Sequence, residues 1–158
     1  MTAALKLIPR TRAEVGADLD AMDDATRALI SADWLALFRQ SACEDPWVHG
    51  FHLVLPDGTN VGFGGYKGPP KDGVVEIAYA VQPEHQGKGY ATAAARALVG
   101  HAIGSGEVRT VIAFTLPDGI ASQRVLLKSG FRHTGEVVDP EDGLVWRFET
   151  TAAGQAAP

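Results

Sequence analysis

The chain reads as an α/β protein of the α+β kind, with one mixed sheet carrying helices on its faces. Three observations predict this. Val74–Val81 and Val108–Leu116 are rich in β-branched and aromatic residues, and a helical pattern follows each. Phe51–Leu55 and Val61–Tyr66 flank the turn Pro56-Asp57-Gly58-Thr59-Asn60, so they form a hairpin. Phe131–Val138 and Leu144–Glu149 flank Pro140-Glu141-Asp142-Gly143 and form another. The order is therefore strand, helices, two strands, strand–helix twice, two strands.

The elements follow in order. Leu5-Lys6-Leu7-Ile8 is a short strand that Pro9 ends. From Thr11 to about Gln40 the pattern is helical with breaks, and Asp33 is the expected N-cap of the apolar run Trp34–Phe38. Residues 44–49 read as a loop, as do Lys67 to Gly73. Tyr90 to about Ile103 is a helix: Ala91, Ala94, Ala95, Leu98, Val99 and Ala102 share one face, and its small alanines let it lie close on a sheet. Asp118 is the expected cap of a helix running to Ser129. Gly130 suits the left-handed position after it, and Phe131 supplies the apolar contact. Residues 1–150 are expected to form one domain, and 151–158 a flexible tail.

With 158 residues, 46% apolar and 21% charged, the chain has the balance of a soluble globular domain. Its net charge is -5 and it has no dense Lys/Arg block, so nucleic acid is not an expected partner. No apolar run reaches membrane-spanning length and no signal pattern opens the chain, so no membrane partner is expected. The single cysteine, Cys43, fits a reducing compartment and is expected to be buried; a cytoplasmic location follows. Cys43, His49 and His52 lack a zinc spacing, and no metal is expected.

The richest segment is Val81-Gln82-Pro83-Glu84-His85-Gln86-Gly87-Lys88-Gly89-Tyr90-Ala91-Thr92. A strand stops at a proline, a Gly-rich turn follows, and an Ala-rich helix begins. The N–H groups from Gln86 to Ala91 can converge on an anion with the helix dipole behind them, and Lys88 adds charge. The Gly-x-x-x-x-Gly-Lys-Ser/Thr loop is absent, and Thr92 stands where a dinucleotide motif would need its third glycine.

Gln86-Gly87-Lys88-Gly89-Tyr90-Ala91 resembles the Gln/Arg-x-x-Gly-x-Gly/Ala motif of the GNAT family of N-acetyltransferases. Glu76–Val81 precedes it as that family's fourth strand does. Ala121–Phe131 resembles the family's last helix with its terminal Gly-Phe. The likeness is greatest to the subgroup containing the acetyltransferases of ribosomal-protein N-termini. It implies a mostly antiparallel sheet of six or seven strands, helices on both faces, and fourth and fifth strands that splay apart.

The resemblance also implies a reaction. Acetyl-CoA would lie in the splay as co-substrate, with its pyrophosphate on Gln86, Gly87, Lys88, Gly89, Tyr90 and Ala91. Thr92 would add a hydroxyl, and Val81 would bond the pantetheine arm through its backbone, with an oxyanion hole near Ala80 and Val81. The acetyl group would pass directly to a primary amine, either a small molecule or a protein N-terminus. Glu76 is the candidate base, because an amine must be neutral to attack. Ser122 is the candidate hydrogen-bond donor. Two family positions are altered: the usual tyrosine is Leu126 and the usual asparagine is Gly119. These departures sustain an alternative, a non-catalytic CoA-binding sensor or subunit. Trp34, Phe38, Trp47 and Phe51 read equally as acceptor-pocket wall or as core. Exposed edge strands need covering, which a homodimer would supply.

Overall fold

Strand β4, Val74–Val81, lies at the centre of a seven-stranded sheet of order β1-β2-β3-β4-β5-β7-β6 in this computed structural model, which describes residues 4–153. The other strands are β1 (Lys6–Pro9), β2 (Phe51–Val54), β3 (Asn60–Tyr66), β5 (Thr110–Thr115), β6 (Arg132–Asp139) and β7 (Gly143–Thr151). Every neighbouring pair is antiparallel except β4–β5. The mixed, mostly antiparallel sheet is the one expected. Thr151, expected in the tail, extends β7 by pairing with Thr110, and 154–158 lie outside the described residues.

The long helix α5 (Tyr90–Gly104) covers one face of the sheet. Ala93, Ala94, Ala95, Leu98, Val99 and Ala102 are its buried residues, and Ala91 is only half-buried. The alanines bring the helix axis close enough for the Tyr66 hydroxyl to donate to the Leu98 carbonyl at 2.6 Å. Leu98, Phe51, Val75, Ile77, Val111 and Phe148 belong to the main core. Helix α6 (Ile120–Lys128) packs beside α5 and closes as expected. Phe131 N–H bonds to Leu126 O at 3.0 Å, Gly130 N–H to Leu127 O at 3.2 Å, and Phe131 is buried.

Helices α1 (Arg12–Ala21), α2 (Asp24–Arg27) and α3 (Ala32–Gln40) lie over the other face. Alternation along β2 shows this: the Phe51 ring lies 5.0 Å from that of His101 on α5, whereas His52 Nε2 lies 2.6 Å from Glu14 Oε2 on α1. The Arg10–Asp18 ion pair adds a second tie. Val15, Phe38 and Val48 form a small core of their own.

Some local expectations change. Ser31, not Asp33, caps α3, its Oγ accepting from Trp34 N–H at 3.1 Å; Asp33 sits in the first turn. The expected loop at 44–49 contains a short helix, α4 (Pro46–His49), because Asp45 accepts from Trp47 N–H and Pro46 has its φ pre-set for a first helical turn. Asp118 does not cap α6: Gly119 holds that position, without a side-chain bond. Cys43 is exposed, in the segment joining α3 to α4.

Candidate active site

The central parallel pair opens. β4 and β5 are paired at Val74–Thr110, Val75–Val111 and Glu76–Ile112, and the ladder stops there although both strands continue. The splay creates a gap of about 400 Å³ between them. Ile77 and Tyr79 line one wall, Ala113 and Thr115 the other, and Ser122 and Leu126 of α6 close one side.

The register decides which backbone groups face this gap. Gln82 N–H donates to Val61 O, and Lys67 N–H to Glu76 O, both at 2.9 Å, so the even-numbered residues of β4 turn towards β3. Thr110 N–H donates to Gly73 O at 3.0 Å, so the odd-numbered ones turn towards β5. The Ile77 N–H still belongs to the last rung, at Ile112, so those of Tyr79 and Val81 face the space that β5 has left. That of Ala80 is directed to Phe63 on β3, which corrects its expected place in an oxyanion hole and leaves Val81 with Tyr79.

β4 runs on into the Gly-rich turn. A 3-10 turn at Pro83–His85 leads to Gly87 and Gly89, with φ of +77° and +84°, and α5 starts at Tyr90. Glycine takes these left-handed conformations without steric cost. Gln86 folds back, its side-chain amide donating to Val81 O at 3.0 Å, which fixes the turn to the strand end. No side chain caps α5 and no acidic residue stands in its first turn, so its leading N–H groups remain available. Lys88 is exposed, Ala91 and Thr92 are half-buried, and Tyr90 packs on the Leu53–Val61–Ala94 cluster. The turn does not itself line the gap; β4 connects the two. Gly119 stands beside the wall, where a Cβ would lie 3.8 Å from that of Thr115.

On the opposite face lies a cleft of about 1730 Å³ between α1–α3 and the sheet. Trp34 lines it with Phe63 and Ala78, whereas Phe38 and Phe51 are core and Trp47 packs on Tyr66 at 4.8 Å. Glu76, Ala78, Lys67, Asp139 and Glu141 border both the cleft and the gap. Glu76 is half-buried there. Burial pushes its carboxyl pKa up, the Lys67 ammonium opposes this, and Asp139 reinforces it. Asp139 stays below the usual carboxylate range because the N–H groups of Asp142 and Glu141 bond to it. Sequence reasoning missed Lys67, Asp139 and Thr115. Asp139 is far from Glu76 along the chain, and only the sheet order brings them together. Among the described residues no group of three or more His, Cys, Asp or Glu is placed to hold a metal, and no helix is long and apolar enough to cross a membrane.

The family model described as acetyltransferase (GNAT) domain matches residues 9–132. The chain belongs to this family. Two curated relatives come from Bacillus subtilis (strain 168). The uncharacterized N-acetyltransferase YjdG is 36% identical over 89 residues, 55% of this chain and 51% of that protein. The uncharacterized N-acetyltransferase YnaD is 37% identical over 60 residues, 38% of this chain and 35% of that protein. The matched segments thus span about half or less of either relative. Among solved structures, the chain resembles aminoglycoside acetyltransferase AAC(6')-Ib in complex with coenzyme A and kanamycin, with TM-score 0.69, 20% identity and 96% of each chain covered. It also resembles a spermidine N-acetyltransferase SpeG chimera from Vibrio cholerae and hSSAT, with TM-score 0.75, 15% identity, and 98% of this chain and 99% of that one covered. At these identities the likeness is one of fold.

Proposed function

We propose that this GNAT chain is an acetyl-CoA-dependent N-acetyltransferase that moves the acetyl group directly to a primary amine in a ternary complex, within one acyltransferase domain over residues 1–150. One observation carries the reading: Glu76 stands where the gap between β4 and β5 meets the large cleft. A carboxylate at that junction touches both an acyl donor in the gap and an amine in the cleft.

The chain's own groups supply the rest. The uncapped N–H groups of α5, with Gly87, Lys88 and Gly89, suit a pyrophosphate. The inward N–H groups of Tyr79 and Val81 suit an extended amide arm and the carbonyl at its end. Ser122 offers a hydroxyl from α6. Bound acetyl-CoA supplies an activated thioester. Glu76 takes the amine's proton, aided by a raised pKa that brings it closer to that of the amine.

The acceptor class rests on the cleft. Its walls join apolar Phe63, Trp34 and Leu29 to carboxylates at Asp18, Asp33, Asp139 and Glu141, which suits an amine carrying an apolar portion. Two of the neighbours in fold are an aminoglycoside acetyltransferase and a spermidine N-acetyltransferase, which puts aminoglycosides and polyamines among the acceptors to try. The likeness to ribosomal-protein acetyltransferases keeps peptide N-termini on the panel. Leu126, buried where the family's tyrosine stands, favours the rival reading of a CoA sensor.

The test is thiol release from acetyl-CoA across small amines, polyamines, aminoglycosides and N-terminal peptides, with Glu76→Gln in parallel. Acceptor-dependent release that drops in the variant supports the transferase. CoA binding without release for any acceptor supports the sensor.

A further inference from the structure

The gap contains a polar group that the fold leaves unused. Thr115 is only 7% exposed, and its hydroxyl has no hydrogen-bond partner among the described residues. Leaving a buried hydroxyl without a partner is costly, so its presence asks for a ligand. The residue lies on the wall of the gap, beside Ser122 and Leu126. The hydroxyl reaches the gap by a rotation about χ1 to another of its staggered positions.

Its level in the gap follows from the register. Glu76 and Ile112 are the last paired residues of the two strands. Tyr79 lies three residues beyond Glu76, and Thr115 three beyond Ile112. The strands are parallel, so the two residues stand at matching heights on opposite walls. The Tyr79 N–H faces the gap from one wall and the Thr115 side chain from the other. A thioester held between them has its carbonyl oxygen against the N–H and its sulfur towards the hydroxyl. Leu126, which closes the side of the gap, has no group to offer a leaving thiolate.

We infer that the Thr115 hydroxyl donates a hydrogen bond to the sulfur of the bound thioester as it departs, taking the place of the tyrosine that Leu126 replaces. The inference rests on the acyl-CoA reading proposed above. In the step, the amine nitrogen bonds to the acetyl carbon, the carbon–sulfur bond breaks, and the sulfur leaves with the electron pair. The amine's proton passes to Glu76 and then to solvent, and the thiolate takes a proton from solvent. Thr115 gives up no proton: an aliphatic hydroxyl is too weak an acid, and it acts only as a donor to the charge that forms.

The experiment compares wild type, Thr115→Val, Thr115→Ala and Thr115→Ser. The first readout is the thiol pKa of bound CoA, followed by thiolate ultraviolet absorbance against pH. The wild type is expected to lower it relative to free CoA. Val and Ala should raise it by about one unit, a tenfold change in thiolate stabilisation, and Ser should restore it. kcat with acetyl-CoA should fall about tenfold or more in Val and Ala and recover in Ser. The free Thr115→Val protein should melt no lower than wild type, because it loses an unpaired hydroxyl and keeps its shape. Equal bound-thiol pKa values in wild type and Val, or an unchanged kcat, overturn the inference. If Val proves unfolded, Ala against Ser decides it by the same readouts. Failure of wild type to bind CoA in calorimetry instead overturns the acyl-CoA reading itself.

Discussion

Glu76 and Ile112 form the last rung of the β4–β5 ladder, and the sheet opens immediately beyond them. Glu76 is therefore held by a paired backbone while its side chain reaches the place where the gap and the cleft meet. Replacing it with glutamine should lower kcat about 100-fold, within the usual worth of a general base. CoA affinity should change less than threefold. Steady-state kinetics with calorimetry on the same variant check both.

The charges around Glu76 fix how its titration responds to mutation. Its pKa is raised by burial, so the active carboxylate form grows in as pH climbs through a value above 4.5, and kcat/KM should rise with it. Lys67 pulls that pKa down, so Lys67→Met should move the acid limb to higher pH. Asp139 pushes it up, so Asp139→Asn should move the limb to lower pH. A limb that stays put in both variants would exclude Glu76 as the titrating group.

Gly89 holds φ at +84° directly before α5, with open space around its α-carbon. Alanine there costs about 1 kcal/mol of backbone strain and puts a methyl where the proposed pyrophosphate approaches. Gly89→Ala should weaken CoA binding about tenfold or more with a small change in melting temperature. Isothermal titration with CoA and a thermal scan separate the two effects.

His49 is 3% exposed between Ser41 and Asp45. Its Nδ1 accepts from Asp45 N–H at 3.2 Å, so the proton sits on Nε2, 2.9 Å from Ser41 Oγ. Burial holds its pKa below the usual 6.5, with Arg12 and Arg10 adding to this and Asp45 opposing it. A depressed histidine pKa means that the unfolded chain takes up the proton first. Stability is thus full above pH 6.5 and declines as pH falls from there through the folded pKa. Melting curves between pH 7.5 and pH 5 (about 2.5 units) should show this slope in wild type, and His49→Gln should flatten it.

Trp34 donates through Nε1 to Val48 O at 3.1 Å and stacks on Phe38 with ring centroids 5.5 Å apart. It joins α3 to α4 and lines the cleft. Trp34→Phe keeps the stack and loses the hydrogen bond, so it should cost about 1 kcal/mol, or about 2–4 °C in Tm. KM for the acceptor should rise several-fold with the acetyl-CoA KM unchanged. Equal rises in both would place Trp34 outside the acceptor site.

Periodicity alone located β4 and α5, whose bounds match the structure at nearly every residue. The reason is local composition: β-branched residues suit a strand and alanines suit a helix. The Gly87–Gly89 turn was legible for the same reason, since its positive φ values belong to the residues themselves. Short elements were harder. Asp45-Pro46 starts a helix of four residues, too brief to show a period.

The amino-acid sequence by itself determined the order of elements, the Gly-rich turn before α5 and the carboxylate at Glu76. Only the tertiary structure decided what surrounds that carboxylate. The ladder ends at Glu76 because β4 and β5 diverge beyond that rung. That divergence leaves the N–H groups of Tyr79 and Val81 without a β5 partner, and the Thr115 hydroxyl is unpaired among the described residues. Asp139 and Lys67 meet Glu76 because a sheet brings distant strands within Coulombic range, and no spacing along the chain encodes that distance.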